Sequence, residues 1–198
     1  KNGVFVRPFT HLHVHTQYSL LKGAIRISDQ VQRAKEMGMT SVAMTDTGNM
    51  FGAVEFYKKA KKAGLRPILG VELAVTLDSR YDAPTRTSTL VLLARNNQGY
   101  ENLRELVSMA WLEGLHEGTP YADLELLEKY QGGVVALSGC TGNIIAKSIL
   151  EERYDLAEEW LQRHVNVFEP GSFYLEVIPG STSDQDQVNR GYRQLGDK

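Results

Sequence analysis

Residues 41–77 read SVAMTDTGNMFGAVEFYKKAKKAGLRPILGVELAVTL, and the fold class turns on how this stretch changes period. It opens on an apolar β-like run over 41–45, which Asp46 ends inside TDTGN. From Gly52 to Ala63 the apolar spacing becomes helical, with Ala53, Phe56, Tyr57 and Ala60 expected on one face and Gly64 closing the helix. Residues 67–77 return to a β pattern, apolar almost throughout except at Glu72, as in a strand buried on both faces.

The same alternation extends outward. Further strands are expected over 9–15, 89–94, 133–137 and 173–178. A helix is expected from Ser28, as N-cap, to Gly38, with Val31 and Ala34 inward; others cover 98–113, 143–151, 154–168 and 184–198. Residues 77–88 read as an exposed loop. Strand–helix alternation of this kind argues for a parallel α/β sheet, open or closed into a barrel.

Composition narrows the function classes. Twenty-two basic against 24 acidic side chains leave a net charge of −2 over 198 residues, which excludes a histone-like polycation but not a local basic groove. The single cysteine, Cys140, excludes an internal disulfide and a multi-thiolate zinc site and fits a reducing cytosol, so a cytoplasmic location is expected. No apolar run approaches the ~20 residues of a membrane span, and no membrane partner is expected.

In parallel α/β folds functional side chains gather at the C-terminal ends of strands. His11, His13 and His15 alternate along the first expected strand and would share one face. Two imidazoles at that spacing suit one metal ion or two adjacent ones, with carboxylates from other strands completing the shell; the bland alternative is a polar strand face. Glu72 is a charge inside an apolar strand, costly unless paired or coordinated. Asp46, Cys140 and Glu176 also fall on, or just past, expected strands. His116 and His164 read as bystanders, and Lys58–Lys62 as a solvated helix face with no aromatic interleaving to suggest nucleic acid.

The stretches FTHLHVHTQYSLLKGA, AMTDTGNMFGAVEFYKKAKKAGLRPILGVEL, LLARNNQGYENLREL and GVVALSGCTGNI closely resemble the PHP (polymerase and histidinol phosphatase) domain family, in the branch that begins bacterial replicative DNA polymerase III alpha subunits. The resemblance implies a distorted (β/α)7 TIM-like barrel occupying residues 1–198. It would be incomplete at the C-terminus, with its last strand, its final Asp-x-His ligand motif and all polymerase domains beyond Lys198. It implies partners as well: the rest of the alpha chain, a proofreading exonuclease (epsilon) subunit, and the replisome with its sliding clamp and primer–template DNA. The parent polymerase would use Mg²⁺ at acidic residues outside this sequence.

The resemblance also assigns a metal site. His13, His15 and Glu72 match ligands of a cluster that holds zinc or manganese in many relatives, and Cys140 matches a cysteine sometimes found there. Three positions depart from the pattern: Lys22 stands for an aspartate, Thr47 for a histidine, and Pro179 falls where an asparagine–histidine pair is usual. A hydroxyl is a poor zinc donor. A cation ~4 Å from another is opposed by about 4 kcal/mol at an effective dielectric of 20. Lys22 would either pair with Glu72 in place of a metal or snorkel into solvent. The implied function is a structural and exonuclease-docking domain with a degenerate site that retains at most residual Zn²⁺ or Mn²⁺. The alternative is an active metal-dependent phosphoesterase or 3′–5′ exonuclease.

Overall fold

The computed structural model describes residues 9–180 and 182–196. Residues 1–8 of the expected domain, and residues 197 and 198 of the expected last helix, lie outside the described residues.

The 41–77 stretch folds as its periodicity indicates. Strand β1 (Ser41–Thr47), helix α2 (Ala53–Lys62) and strand β2 (Arg66–Thr76) follow α1 (Ile27–Glu36). β1 and β2 pair in parallel from Ser41 opposite Arg66 to Thr47 opposite Glu72. That register carries Thr47 and Glu72 to the same end of the sheet. α1 and α2 cover this pair through Ile27, Val31, Ala34, Phe56 and Ala60, packed on Val42 and Met44. Tyr57, expected on the inner face, is 47% exposed; the buried stripe is narrower than the sequence suggested. Ser28 lies inside α1 rather than capping it, because the helix starts two residues earlier than expected, after Arg26.

The sheet is mixed, not parallel. β2 runs antiparallel to β3 (Thr87–Ala94), and β3 antiparallel to β6 (Val134–Leu137), while β6 pairs in parallel with β7 (Phe173–Tyr174). The reason lies in the connection: only residues 77–86, without a helix, join β2 to β3, and a parallel crossover needs a dozen or more residues, usually helical. The seven-stranded sheet, in which β1 pairs with β2 off the main path, is not closed into a ring by any pairing among the described residues. The described residues thus show a mixed α/β sheet covered by helices, the coarser form of the expected fold.

Three further corrections concern single segments. Residues 9–15 form no strand, although they lie beside β1: Thr45 N–H donates to the Val14 carbonyl at 2.9 Å, but Val14 N–H turns to the Thr45 hydroxyl at 2.8 Å. A side chain takes the bond that would extend the ladder. The strand expected over 173–178 stops at Tyr174 for the same reason, since Glu176 N–H donates to Ser138 Oγ. The 77–88 loop is not wholly exposed: Arg80 is 7% exposed, its guanidinium on Asp123 and Glu113.

The sequence reading missed a short hairpin, β4 (Leu115–His116) with β5 (Thr119–Ala122), and the helix α4 (Leu124–Tyr130). Glu117 and Gly118, both at positive φ, make the hairpin turn, and Asp123 caps α4 by accepting from Leu126 N–H. Helices α3 (Asn97–Glu113), α5 (Ile144–Leu150), α6 (Tyr154–Val167) and α7 (Ser183–Gly196) fall where expected, within a few residues at either end.

Candidate metal centre

The site forms where the segment after Phe9 crosses the ends of β1 and β2. His13, His15 and Glu72 converge there. His13 Nε2 lies 3.2 Å from His15 Nε2 and 3.1 Å from Glu72 Oε2, and His15 Nε2 lies 3.5 Å from the same oxygen. Two nitrogens and one carboxylate oxygen thus mark a nearly equilateral triangle. Donors about 2.0–2.1 Å from a tetrahedral zinc ion stand roughly 3.3 Å apart. The three residues therefore fit one zinc- or manganese-sized cation, with ligand types suited to it.

The tight loop that follows His15 is held from below. Asp46 is wholly buried and accepts from Thr16 N–H at 2.6 Å, Thr16 Oγ1–H at 2.7 Å and Ser19 Oγ–H at 2.5 Å. Gly23 closes this loop: a Cβ there would meet the Thr16 carbonyl oxygen at 2.1 Å, so any side chain would push the loop apart. Ser19 Oγ also approaches His15 Nδ1 at 3.0 Å, and Thr47 Oγ1 lies 3.1 Å from the same nitrogen while donating to Glu72 Oε1 at 3.0 Å. On the other side Glu176 brings both carboxylate oxygens to 3.2 Å from His13 Nδ1.

Electrostatics follow from this geometry. Burial alone would lower the His13 pKa, but the hydrogen bonds and charges of Glu176 and Glu72 outweigh it and raise it to about 10. Burial alone would raise that of Glu72, and the hydrogen bond from His13, together with the neighbouring His15 ring, overrides it and holds the carboxyl well below its ordinary range. Without a metal ion the site is thus an imidazolium clamped between two carboxylates.

The profile of the PHP domain matches residues 11–179, which includes every residue of this cluster. This chain belongs to the PHP domain family. The domain is 43% identical over 186 residues to the DNA polymerase III subunit alpha of Borreliella burgdorferi, covering 91% of this chain and 16% of that protein. It is 41% identical over 198 residues to that of Thermus aquaticus, covering 96% and 16%. The chain therefore spans about a sixth of the length of the curated relatives it matches. Among solved structures, an amidohydrolase from Chromobacterium violaceum aligns with a TM-score of 0.56 at 17% identity, over 94% of this chain and 84% of that one. A protein from Bifidobacterium adolescentis described as a metal-dependent phosphoesterase aligns with a TM-score of 0.52 at 14% identity over the same shares. At such identities the likeness speaks to the fold.

The other positions singled out from this PHP domain's sequence separate into three groups. Lys22 and Thr47 are at the site: Lys22 Nζ lies 3.6 Å from Glu72 Oε1, with its side chain 59% exposed. Cys140 and Pro179 are not part of the ligand group found among the described residues; Cys140 sits in the loop after β6, and Pro179 is exposed beyond β7. His11 is exposed and packs edge-on against Phe9, because residues 9–15 lack the strand that would have aligned the three histidines. His116 donates from Nε2 to the Arg80 carbonyl oxygen, and buried His164 donates from Nδ1 to the Trp160 carbonyl oxygen, both away from the cluster. Glu176, noted only as a polar break in a strand, is the residue whose role the sequence left unassigned. Ser19 and Asp46 gain theirs from register and loop closure, which the sequence does not display.

Proposed function

We propose that this chain is the PHP domain of a bacterial replicative DNA polymerase III alpha subunit, acting as a structural and docking module whose metal site is reduced to a single-cation site. The relatives' shared description as DNA polymerase III subunit alpha, at 41–43% identity, supports the placement. On this reading nucleotidyl transfer, its Mg²⁺ ions and its primer–template DNA belong to parts of the polypeptide outside this sequence. The domain's own partners are the remainder of the alpha chain and the proofreading exonuclease subunit.

The observation that carries the reduced site is where Thr47 and Lys22 point. Both turn onto Glu72 Oε1, leaving Oε2 with the two imidazoles as the donor set. His13, His15 and Glu72 would hold the cation, which supplies Lewis acidity when bound. Glu176 orients His13 and keeps negative charge beside the site, while the Lys22 ammonium at the rim opposes a second cation. Cys140 and Pro179 then contribute no ligand.

The second reading, a working phosphoesterase or 3′–5′ exonuclease, draws on the same convergence of three donors. One experiment separates the two. The purified chain is loaded with zinc or manganese, its bound metal is counted, and hydrolysis of a phosphate monoester and of a single-stranded DNA 3′ end is measured alongside binding to the exonuclease subunit. One equivalent, no turnover and a stable complex are expected. Two or three equivalents with manganese-dependent turnover would overturn the docking reading.

A further inference from the structure

We propose that Thr47, together with Ser19, locks His15 in the Nδ1–H tautomer and so presents its Nε2 lone pair to the cation position. The proposal deepens the single-cation reading and rests on it only for its metal arm.

A hydroxyl has one hydrogen and two lone pairs. The Ser19 hydrogen goes to Asp46 Oδ1, an acceptor already holding the Thr16 amide and hydroxyl on its two oxygens. The Thr47 hydrogen goes to Glu72 Oε1. Each hydroxyl therefore turns only lone pairs toward His15 Nδ1, at 3.0 and 3.1 Å. Ser19 spends its second lone pair on the Thr47 amide at 3.1 Å, so its bonding capacity is filled. A lone pair on Nδ1 would face two others with nothing between them. The nitrogen must donate, and in a neutral ring the free lone pair is then on Nε2, which faces His13 Nε2 and Glu72 Oε2.

His13 receives the same treatment by a different device, since Glu176 takes its Nδ1–H. Both imidazoles are thus pre-set to bind through Nε2, the outer-layer arrangement that fixes ring orientation in metal sites. Position 47 gains a meaning that a lost ligand would not have. Thr47 joins the two carboxylates into one hydrogen-bonded chain around His15, reaching Glu72 through its hydroxyl and Asp46 through its amide on Ser19. Thr47 is a positioning residue, and the effect passes through His15.

The test uses ¹⁵N-labelled, metal-free chain at about pH 8, above the ordinary imidazole value of about 6.5. Nitrogen–carbon-bound-proton correlation spectra report which ring nitrogen of His15 carries the proton. Wild type and Thr47→Ser should show Nδ1–H. Thr47→Val and Ser19→Ala should shift His15 toward a tautomer mixture and weaken Zn²⁺ binding about 10–100-fold, read by competition with a chromophoric chelator. Thr47→Ser should restore wild-type affinity. A wild-type His15 with its proton on Nε2 would overturn the lock without any variant having to fold. So would unchanged tautomer and zinc affinity in both Thr47→Val and Ser19→Ala. Nδ1–H in a wild-type chain that takes up no zinc would support the lock and overturn the metal reading instead.

Discussion

Two places in this molecule put a cationic side chain between two carboxylates. At the end of β1 and β2, His13 lies between Glu72 and Glu176. In the loop after β2, Arg80 lies between Asp123 and Glu113, with bonds of 2.8–2.9 Å. The charge pattern is the same and the chemistry differs. A guanidinium keeps its proton at any ordinary pH and offers no lone pair, so the Arg80 cluster is a fixed clamp that ties the 77–86 loop to α3 and the start of α4. An imidazolium gives up its proton and then becomes a donor, so the His13 cluster can exchange a proton for a metal ion. The fold thus uses one electrostatic motif twice, once for stability and once where exchange is useful.

The largest expected effect breaks the clamp. Arg80→Met leaves Asp123 buried without its partner and should cost about 3–5 kcal/mol, a range typical of breaking one side of a buried pair. Urea unfolding should show the midpoint falling, equally with and without a chelator. A loss confined to the metal-loaded protein would mean that the two clusters are coupled.

At the His13 cluster, Glu176→Gln should weaken zinc binding about 10–100-fold and, in the metal-free chain, lower the unfolding midpoint near neutral pH but not above about pH 10, where His13 is neutral and the Arg80 loss persists. Calorimetric zinc titration checks it. An unchanged affinity would remove Glu176 from the site.

pH separates the clusters further. The folded His13 pKa of about 10 exceeds the unfolded value of about 6.5, so its stabilising contribution is complete below about 6.5 and is lost as pH rises through about 10. Glu72 is depressed below its ordinary range, so its contribution is present above the unfolded value of about 4.5 and fades as pH falls through its folded pKa. Metal-free protein should therefore be most stable near pH 5–6 and weaken steadily toward pH 10, as urea midpoints at a series of pH values would report. In Arg80→Met the same alkaline slope should remain, because the guanidinium does not titrate there.

The smallest expected effect is at Lys22. Its ammonium reaches Glu72 at 3.6 Å but is more than half exposed, and Glu72 already takes His13 and Thr47. Lys22→Ala should change stability by only about 0–1 kcal/mol. A thermal shift equal to that of Arg80→Met would restore Lys22 as the replacement for a metal ion.

The two clusters also differ in how far the sequence revealed them. His13, His15 and Glu72 were legible because imidazoles at i, i+2 and a charge inside an apolar strand are local anomalies. The 41–76 unit was legible because its period changes twice within a few residues. The Arg80 cluster was hidden, since nothing local distinguishes a buried arginine in a polar loop from a solvated one. The antiparallel return of β3 was recoverable in principle from the helix-free link over 77–86. The failed strand over 9–15 was not, because it depends on the Thr45 hydroxyl capturing the Val14 amide across the sheet. Thr47 read as a missing ligand when compared with a motif. Only the β1–β2 register, which sets it opposite Glu72, shows that its hydroxyl is engaged.

The central claim is that His13, His15 and Glu72 hold one divalent cation. Its most direct measurement is zinc stoichiometry by elemental analysis after loading and desalting, on wild type and on Glu72→Gln. The expected result is one equivalent in wild type and none in the variant. No bound zinc in wild type, or two to three equivalents, or one equivalent that survives Glu72→Gln, would contradict it.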